Sequence, residues 1–462
     1  MAKTVRSGRP ERVSIGSVTL YVHHGAWWIN YRDGGRRVRR RVGGDRDEAE
    51  AVAAAVNAQL ALGQRSMFAF DPVDLGTMLD RWLDHHEHVL QSSVATTNRY
   101  RTATDHARRY AATAGPGRQA HQFDANSFVR YLRTIRVTPN GHPNAARRGL
   151  TAKGIQFILA TCRSAFHYAA RHRMMPPYGE NPFTALPIRR MADTETRRPI
   201  HVFSEDEEYR FLAACDRWQF PIFYVFARTG LRPAELTHLL VDEVDLHGGL
   251  LTIRSKPDLG WQVKTRRPRA IPLPREVVAV LESVIGNRRQ GLLFLRRRFV
   301  EGEGPPLFGL GPTDLKAELE RRVRCAEREQ PATVDRRSRL KIAAGLWRDA
   351  GAIKPERVRT EFCGITQAIG LKDVTAPKCW RHTLATLMLE AEVDPLVRQL
   401  TLGHRPADDA KAALGMTSVY THVTPEVHRR QLQRVIDLRP KTSGLVDCFL
   451  SEAHAVKENE SC

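Results

Sequence analysis

The tightest constraint on this chain is a turn near its start. Asp33-Gly34-Gly35 separates two short runs, Ala26–Tyr31 and Arg36–Val42. An aspartate followed by two glycines supplies the positive φ angles of a tight hairpin. The chain therefore opens with paired strands. Val13–His23 alternates as a first strand, the aromatic Ala26-Trp27-Trp28-Ile29-Asn30-Tyr31 is a second, and Arg36–Val42 is a third, ended by Gly43-Gly44. Asp45 caps a following helix that runs to Leu62, with Glu48 three residues on and alanine and valine along one face. The expected unit, residues 1–65, is β-β-β-α. Alternation puts Arg37, Arg39 and Arg41 on one sheet face and Arg36 and Arg40, with Val38, on the other.

The period then changes from two to 3.6. Leu75–Leu90, Thr97–Ala112, Asp124–Ile135 and Thr151–His172 each carry apolar residues at helical spacing, within a helical domain over residues 68–190. Pro139-Asn140-Gly141-His142-Pro143 is a clear turn between two of them. His85-His86-Glu87-His88 is read as a surface cluster, because only His85 and His88 share a helix face. Met174–Arg198, rich in proline, glycine and polar residues, reads as a linker. Ser204 then caps a new helix with Glu205, Glu207 and Glu208 in its first turn. A mixed α+β unit follows over residues 198–440. It holds a strand pair, Leu250–Ile253 and Ala270–Leu273, and an insertion at about 296–358. Residues 441–462 are mildly acidic and short of apolar periodicity, and are expected to be a flexible tail. At 462 residues the chain is too long for one core, so it is multidomain and mainly α with small β-sheets.

Charge narrows the partner. Seventy-two Lys+Arg against 51 Asp+Glu give +21, and such an excess favours a polyanion through counterion release. GC-rich codon usage explains part of an arginine excess, so placement matters more than the total. Five arginines in six residues (Arg36, Arg37, Arg39, Arg40, Arg41) are costly without an anion nearby. Lys153 and Arg163 recur among the cations of the helical stretch. Double-stranded DNA is the expected partner. No apolar run approaches a membrane span, and the basic Met1–Arg12 segment has no apolar stretch behind it. Seven scattered cysteines form no C-x-x-C pair. The expected setting is the cytoplasm, on the nucleoid. No P-loop and no acidic cluster suited to Mg²⁺ is present, so neither metal nor cofactor is expected.

Four separated segments carry groups suited to phosphate chemistry. Thr229-Gly230-Leu231-Arg232-Pro233-Ala234-Glu235 ends one helix at glycine and starts another at proline, which puts Arg232 at a helix start where phosphate is favoured. Its guanidinium is a two-pronged donor. Lys264, in Val263-Lys264-Thr265-Arg266-Arg267-Pro268-Arg269-Ala270-Ile271, sits on a hairpin from which it can reach a target. Lys378-Cys379-Trp380-Arg381-His382-Thr383 opens an amphipathic helix on which Lys378 and Arg381 share a face. Leu402-Gly403-His404-Arg405 is followed by Ser418-Val419-Tyr420-Thr421-His422-Val423, and a tyrosine hydroxyl becomes a nucleophile when cations stabilise the developing charge.

Taken in order, Thr-Gly-Leu-Arg, Lys-Thr…Ile-Pro-Leu, Arg-His-Thr, Leu-Gly-His and Tyr-Thr-His-Val resemble the tyrosine recombinase (phage integrase) family over residues ~200–435. The first unit resembles the arm-site-binding domain of mobile-element integrases, and the helical middle matches a core-binding domain by position. The resemblance implies that Arg232 and Arg381 clamp the scissile phosphate and that Tyr420 attacks it, leaving a 3′-phosphotyrosyl link. It implies that Lys264 protonates the leaving 5′ oxygen and that His404 hydrogen-bonds the phosphate. Lys378 stands where the family most often has histidine, which leaves the general base open. A homotetramer on DNA, working with a directionality or architectural protein, would follow. Resolvases and transposon recombinases share this chemistry, and the alternative outside the enzymes is a DNA-binding protein that has lost catalysis, against which the intact Tyr420, Arg232 and Arg381 argue.

Overall fold

A computed structural model describes residues 11–113, 119–138, 145–177, 179–192, 200–329, 334–403 and 423–460. It divides into two units, residues 1–197 and 198–462.

The first unit begins with an antiparallel sheet in the order β1 (Arg12–Ile15), β2 (Val18–His23), β3 (Ala26–Asp33), β4 (Arg36–Gly43). The single strand expected over Val13–His23 is two strands. Gly16, at φ 57°, turns the chain between them, and Ser17 is held there by its N–H bond to Asn57 Oδ1 (2.9 Å). Helix α1 (Arg46–Ala61) covers one sheet face, with Asp45 as its cap, accepting from the Glu48 N–H at 2.9 Å. Val18, Leu20, Ile29, Ala49, Ala53 and Val56 are fully buried between sheet and helix. Because side chains alternate, Trp28, Asn30 and Arg32 lie opposite Arg41, Arg39 and Arg37 on the uncovered face.

Next come α2 (Leu75–Asp84), α3 (Val94–Thr113), α4 (Ala125–Thr134), a short ladder of β5 (Arg136–Val137) with β6 (Arg148–Gly149), and α5 (Ala152–Arg171). Asp74, Asp124 and Thr151 cap α2, α4 and α5 with their side chains. The first of these helices stops short of Leu90: the chain makes a π turn over His85–Val89. Phe128, Phe166 and Phe183 are fully buried in this core. Phe183 lies in the expected linker, as do the buried Met174, Met175 and Ile188. Part of that segment is therefore core wall, because its scattered apolar residues find a hydrophobic surface that composition alone does not reveal.

The second unit contains α6 (Glu205–Ala213), α7 (Gln219–Thr229), α8 (Pro233–Leu236), a three-stranded sheet of β7 (Val244–Asp245), β8 (Leu250–Ile253) and β9 (Arg269–Pro272), then α9 (Arg275–Ile285), α10 (Arg297–Val300), α11 (Pro312–Glu329), α12 (Arg336–Asp349), α13 (Pro355–Ala368), α14 (Cys379–Glu390), α15 (Pro395–Leu402), α16 (Pro425–Asp437) and α17 (Pro440–Glu460). Helix α7 is buried all round, from Phe220 to Thr229, which marks it as the centre of the unit. The 296–358 segment supplies a second core: Leu315, Leu319, Val323, Leu346 and Trp347 close over Leu240, Leu259 and Leu292.

The expected flexible tail is instead helix α17. Val446 and Phe449 are buried, and the Phe449 ring stacks on Phe220 at 4.9 Å. Charge holds it as well. Arg228 donates to Thr442 Oγ1 (2.6 Å) and pairs with the fully buried Glu208 (2.6 Å), which Arg439 also reaches (3.3 Å). Two apolar anchors with a buried ion pair suffice to dock a helix whose composition looks solvated. Among the described residues, no helix is long and apolar enough to cross a membrane.

Candidate active site

Three helix ends and one strand build the site. Helix α7 ends at Gly230, in the left-handed conformation at φ 60°, where a side chain would meet Leu384 at 2.8 Å. Only glycine fits both demands. Leu231 is fully buried, and Arg232 then precedes Pro233, the first residue of α8. The Arg232 N–H donates to Glu235 Oε2 (3.0 Å) and its guanidinium to Glu235 Oε1 (2.7 Å). Arg269 reaches the same carboxylate from β9, donating to Oε2 (2.6 Å) and Oε1 (3.2 Å). The Glu235 and Arg269 side chains are only 2% and 7% exposed, whereas that of Arg232 is 23% exposed. The carboxylate thus lies deepest and Arg232 faces the opening. Burial by itself would raise the Glu235 pKa, but the Arg269 bonds, then Arg232, hold it below the usual carboxylate range.

The third arginine comes from α14. Trp380 is fully buried and stacks on Phe203 at 4.1 Å, and Thr383 Oγ1 accepts the Phe203 N–H at 2.9 Å. These anchors fix the helix and turn the next position, Arg381, toward the ends of α7 and α15. Its guanidinium donates to the carbonyls of Gly230 (2.5 Å) and Leu402. Both are helix C-terminal carbonyls that lack helical partners and carry partial negative charge. Among the described residues two of its five N–H donors are used this way, leaving three. Burial first, then Arg232 and Arg269, pull the Arg381 pKa down to about 10, so it stays charged at neutral pH. Arg232 and Arg269 share the one carboxylate, and Arg381 lies close enough to feel all three charges, so the cluster holds a surplus of two positive charges suited to an anion.

The rear of the site is also ordered. Arg269 Nε donates to the Thr401 carbonyl (3.2 Å). Thr401 Oγ1 donates to the Val397 carbonyl (2.8 Å), so His428 Nε2 is the donor in its 2.7 Å bond to that oxygen. Burial pushes the His428 pKa down to about 4, keeping the ring neutral. Gly403, at φ 60°, passes so close that a Cβ would stand 2.9 Å from Arg269 Cδ. The glycine of the Leu-Gly-His motif therefore makes room for Arg269.

The structure brings Arg232 and Arg381 together. Lys264 is exposed between β8 and β9, and Lys378 is exposed just before α14. Neither side chain makes a hydrogen bond or ion pair with the described residues. His404 and Tyr420 lie outside the described residues. Arg37, Arg39 and Arg41 are exposed on one sheet face as the alternation requires, with Arg37 Nε donating to Asn30 Oδ1 (2.9 Å). Arg36 is exposed beside the turn, and Arg40 lies 4.6 Å over the Phe68 ring on the helix side. Lys153 and Arg163 are exposed on α5. Sequence reasoning missed Arg269, Thr401 and His428. A signal for Arg269 existed: it alternates with Ile271 and so shares the buried side of β9.

The phage integrase family model matches residues 201–426. Tyrosine recombinase XerA of Pyrococcus furiosus is 27% identical over 310 residues, covering 67% of this chain and 80% of that one. Tyrosine recombinase XerD of Listeria monocytogenes serotype 4b is 24% identical over 328 residues, covering 66% and 87%. A solved lambda integrase dimer bound to a COC′ core site aligns at a TM-score of 0.47 with 15% identity, over 88% of this chain and 97% of that one. Residues 201–426 form a phage integrase domain, and that domain makes the chain a site-specific tyrosine recombinase.

Proposed function

We propose that this recombinase cuts and rejoins double-stranded DNA through a 3′-phosphotyrosyl intermediate, and that it serves the integration or excision of a mobile element. The observation that carries the chemistry is the arginine cluster: Arg232 at the opening and Arg381 behind it, each with N–H donors left free by the described residues, around the buried Glu235. Such a cluster favours the charge that develops on a phosphate under attack. Tyr420 loses its proton as its oxygen bonds to phosphorus, and the bond to the 5′ oxygen breaks. Lys264 gives a proton to that departing oxygen, and His404 and Lys378 complete the cage. The phosphotyrosine keeps the energy of the broken phosphodiester, so neither metal nor ATP is called for. A homotetramer on DNA is the assembly that pairs two sites.

The test is a suicide substrate whose cleaved strand cannot religate. The full-length protein is expected to form a covalent complex whose DNA-bearing peptide, by mass spectrometry, contains Tyr420. Site binding without any covalent product, or an adduct on another residue, overturns the assignment.

The uncovered sheet face supports the integrase reading over a resolvase without an arm domain. Arg37, Arg39 and Arg41 stand in a row beside Trp28 and Asn30, and a narrow sheet of this kind fits a major groove. Replacing all three by alanine is expected to reduce the salt slope of DNA binding by about three, roughly one for each phosphate that is no longer neutralised. Cleavage at the core site should be spared. An unchanged slope would show that this face does not lie on DNA. The Xer relatives favour a second reading, a chromosomal resolvase of the same chemistry. Deleting residues 1–65 separates the two: an integrase loses binding to distal sites, and a resolvase loses none.

A further inference from the structure

We propose that α11 and α12 form a splint for the hairpin that carries Lys264, and that Trp347 is a positioning residue for that lysine. This rests on the reading of Lys264 as the proton donor to the leaving oxygen. Lys264 has no side-chain partner among the described residues, so its place is set by the backbone beneath it. That backbone is held point by point. Val263, its neighbour, is buried, and the Val263 N–H donates to Ser255 Oγ (3.1 Å). Two residues earlier, Trp261 exchanges backbone hydrogen bonds with Lys256 (2.9 and 3.1 Å).

The splint meets the hairpin at the loop before Trp261. The Trp347 Nε1–H of α12 donates to the Leu259 carbonyl at 2.9 Å. Gly260 has φ 72°, and a Cβ there would stand 2.8 Å from Ala343 Cβ, so α12 lies directly against the hairpin backbone. From α11, Lys316 pairs with Asp258 (2.9 Å), an exposed pairing that adds little.

The same junction reaches the arginine cluster. The His238 ring stacks on Trp261 at 5.0 Å and 12°, and it also meets the Trp347 ring edge-on at 4.9 Å. His238 Nδ1 lies 2.9 Å from the Ala234 carbonyl, beside Glu235. One aromatic joint therefore ties three parts: α8 with its arginine clamp, the lysine hairpin and α12. Shifting Trp347 displaces Lys264 relative to Arg232 while leaving the guanidiniums in place.

The test compares two DNA substrates, one ordinary and one with sulfur in place of the 5′ bridging oxygen at the cleaved phosphate. A thiolate leaves without a donated proton, so a defect in proton delivery disappears on the sulfur substrate. Trp347→Phe keeps an aromatic ring and removes the bond to Leu259. It is expected to slow single-turnover cleavage of the ordinary substrate by about tenfold, against a ceiling of about a hundredfold for such a misplacement. Cleavage of the sulfur substrate should stay near the wild-type rate, and Lys264→Ala should show the same pattern more strongly. Gly260→Ala, which pushes α12 off the hairpin, should follow Trp347→Phe; thermal melting and site binding report whether each variant is folded. If Lys264→Ala is rescued by sulfur while Trp347→Phe is equally slow, or unaffected, on both substrates, the splint is overturned and the lysine reading stands. If Lys264→Ala is not rescued, the lysine reading falls and the splint falls with it.

Discussion

Alanine at Glu235 is expected to slow DNA cleavage at least about a hundredfold, the scale of losing one preorganised donor to the transition state. It should also cost the second unit roughly 3–5 kcal/mol, because a buried ion pair is broken from one side. Both effects come from one carboxylate. Glu235 accepts from Arg232 and from Arg269, and Arg269 is only 7% exposed. Truncation leaves two guanidiniums without a counter-charge and frees Arg232 to leave its phosphate-facing position. Glu235→Gln keeps the volume and one acceptor oxygen but not the charge, so it should fall between wild type and alanine. The carboxyl is held below the usual range, so its stabilising contribution is complete above the unfolded carboxylate value, about pH 4.3, and is lost as pH falls through the lower folded value. The Gln variant should lack that part of the acid dependence. Single-turnover cleavage and denaturation across acidic pH check both effects. Wild-type cleavage by Glu235→Ala would mean that Arg232 is placed by something else.

Alanine at Glu208 is expected to be the most destabilising change away from the arginine cluster. Its carboxylate is wholly buried against Arg228, whose side chain is 2% exposed, and Arg439 approaches its second oxygen at 3.3 Å. Removing it strands the Arg228 guanidinium, at a cost of about 3–5 kcal/mol. The loss should be local in form. Arg228 also donates to Thr442, so α17 loses its polar lock while Val446 and Phe449 keep an apolar hold. Trypsin cleavage after Lys441 should speed up in the folded variant, with a lowered melting temperature. Replacing Glu208 by leucine and Arg228 by methionine together should recover most of the stability, since an apolar pair of similar size needs no desolvation of charge. If Glu208→Ala melts like wild type and resists trypsin, the pair does not hold α17.

Local order was legible wherever a residue's own chemistry decides it. The Asp45 and Ser204 caps act within a few residues of themselves. The helix break at Gly230 and the restart at Pro233 follow from φ restrictions. The sheet alternation that exposes Arg37, Arg39 and Arg41 follows from strand geometry. Order of motifs also pointed to the family, because six phosphate-suited groups in sequence seldom coincide otherwise.

The rest needed proximities that sequence spacing does not encode. Glu235 and Arg269 are 34 residues apart, and Arg381 reaches Gly230 across 151. Arginine count alone could not say which guanidiniums face solvent and which lean on a buried carboxylate. The tail read as solvated because two apolar residues and one ion pair give no periodic signal, yet a waiting hydrophobic surface is enough to dock them. By itself the sequence determined the capped helix starts, the sheet alternation and the kind of chemistry. Only the tertiary structure decided which cations share one anion, since charge pairing and burial depend on distance in space and not along the chain.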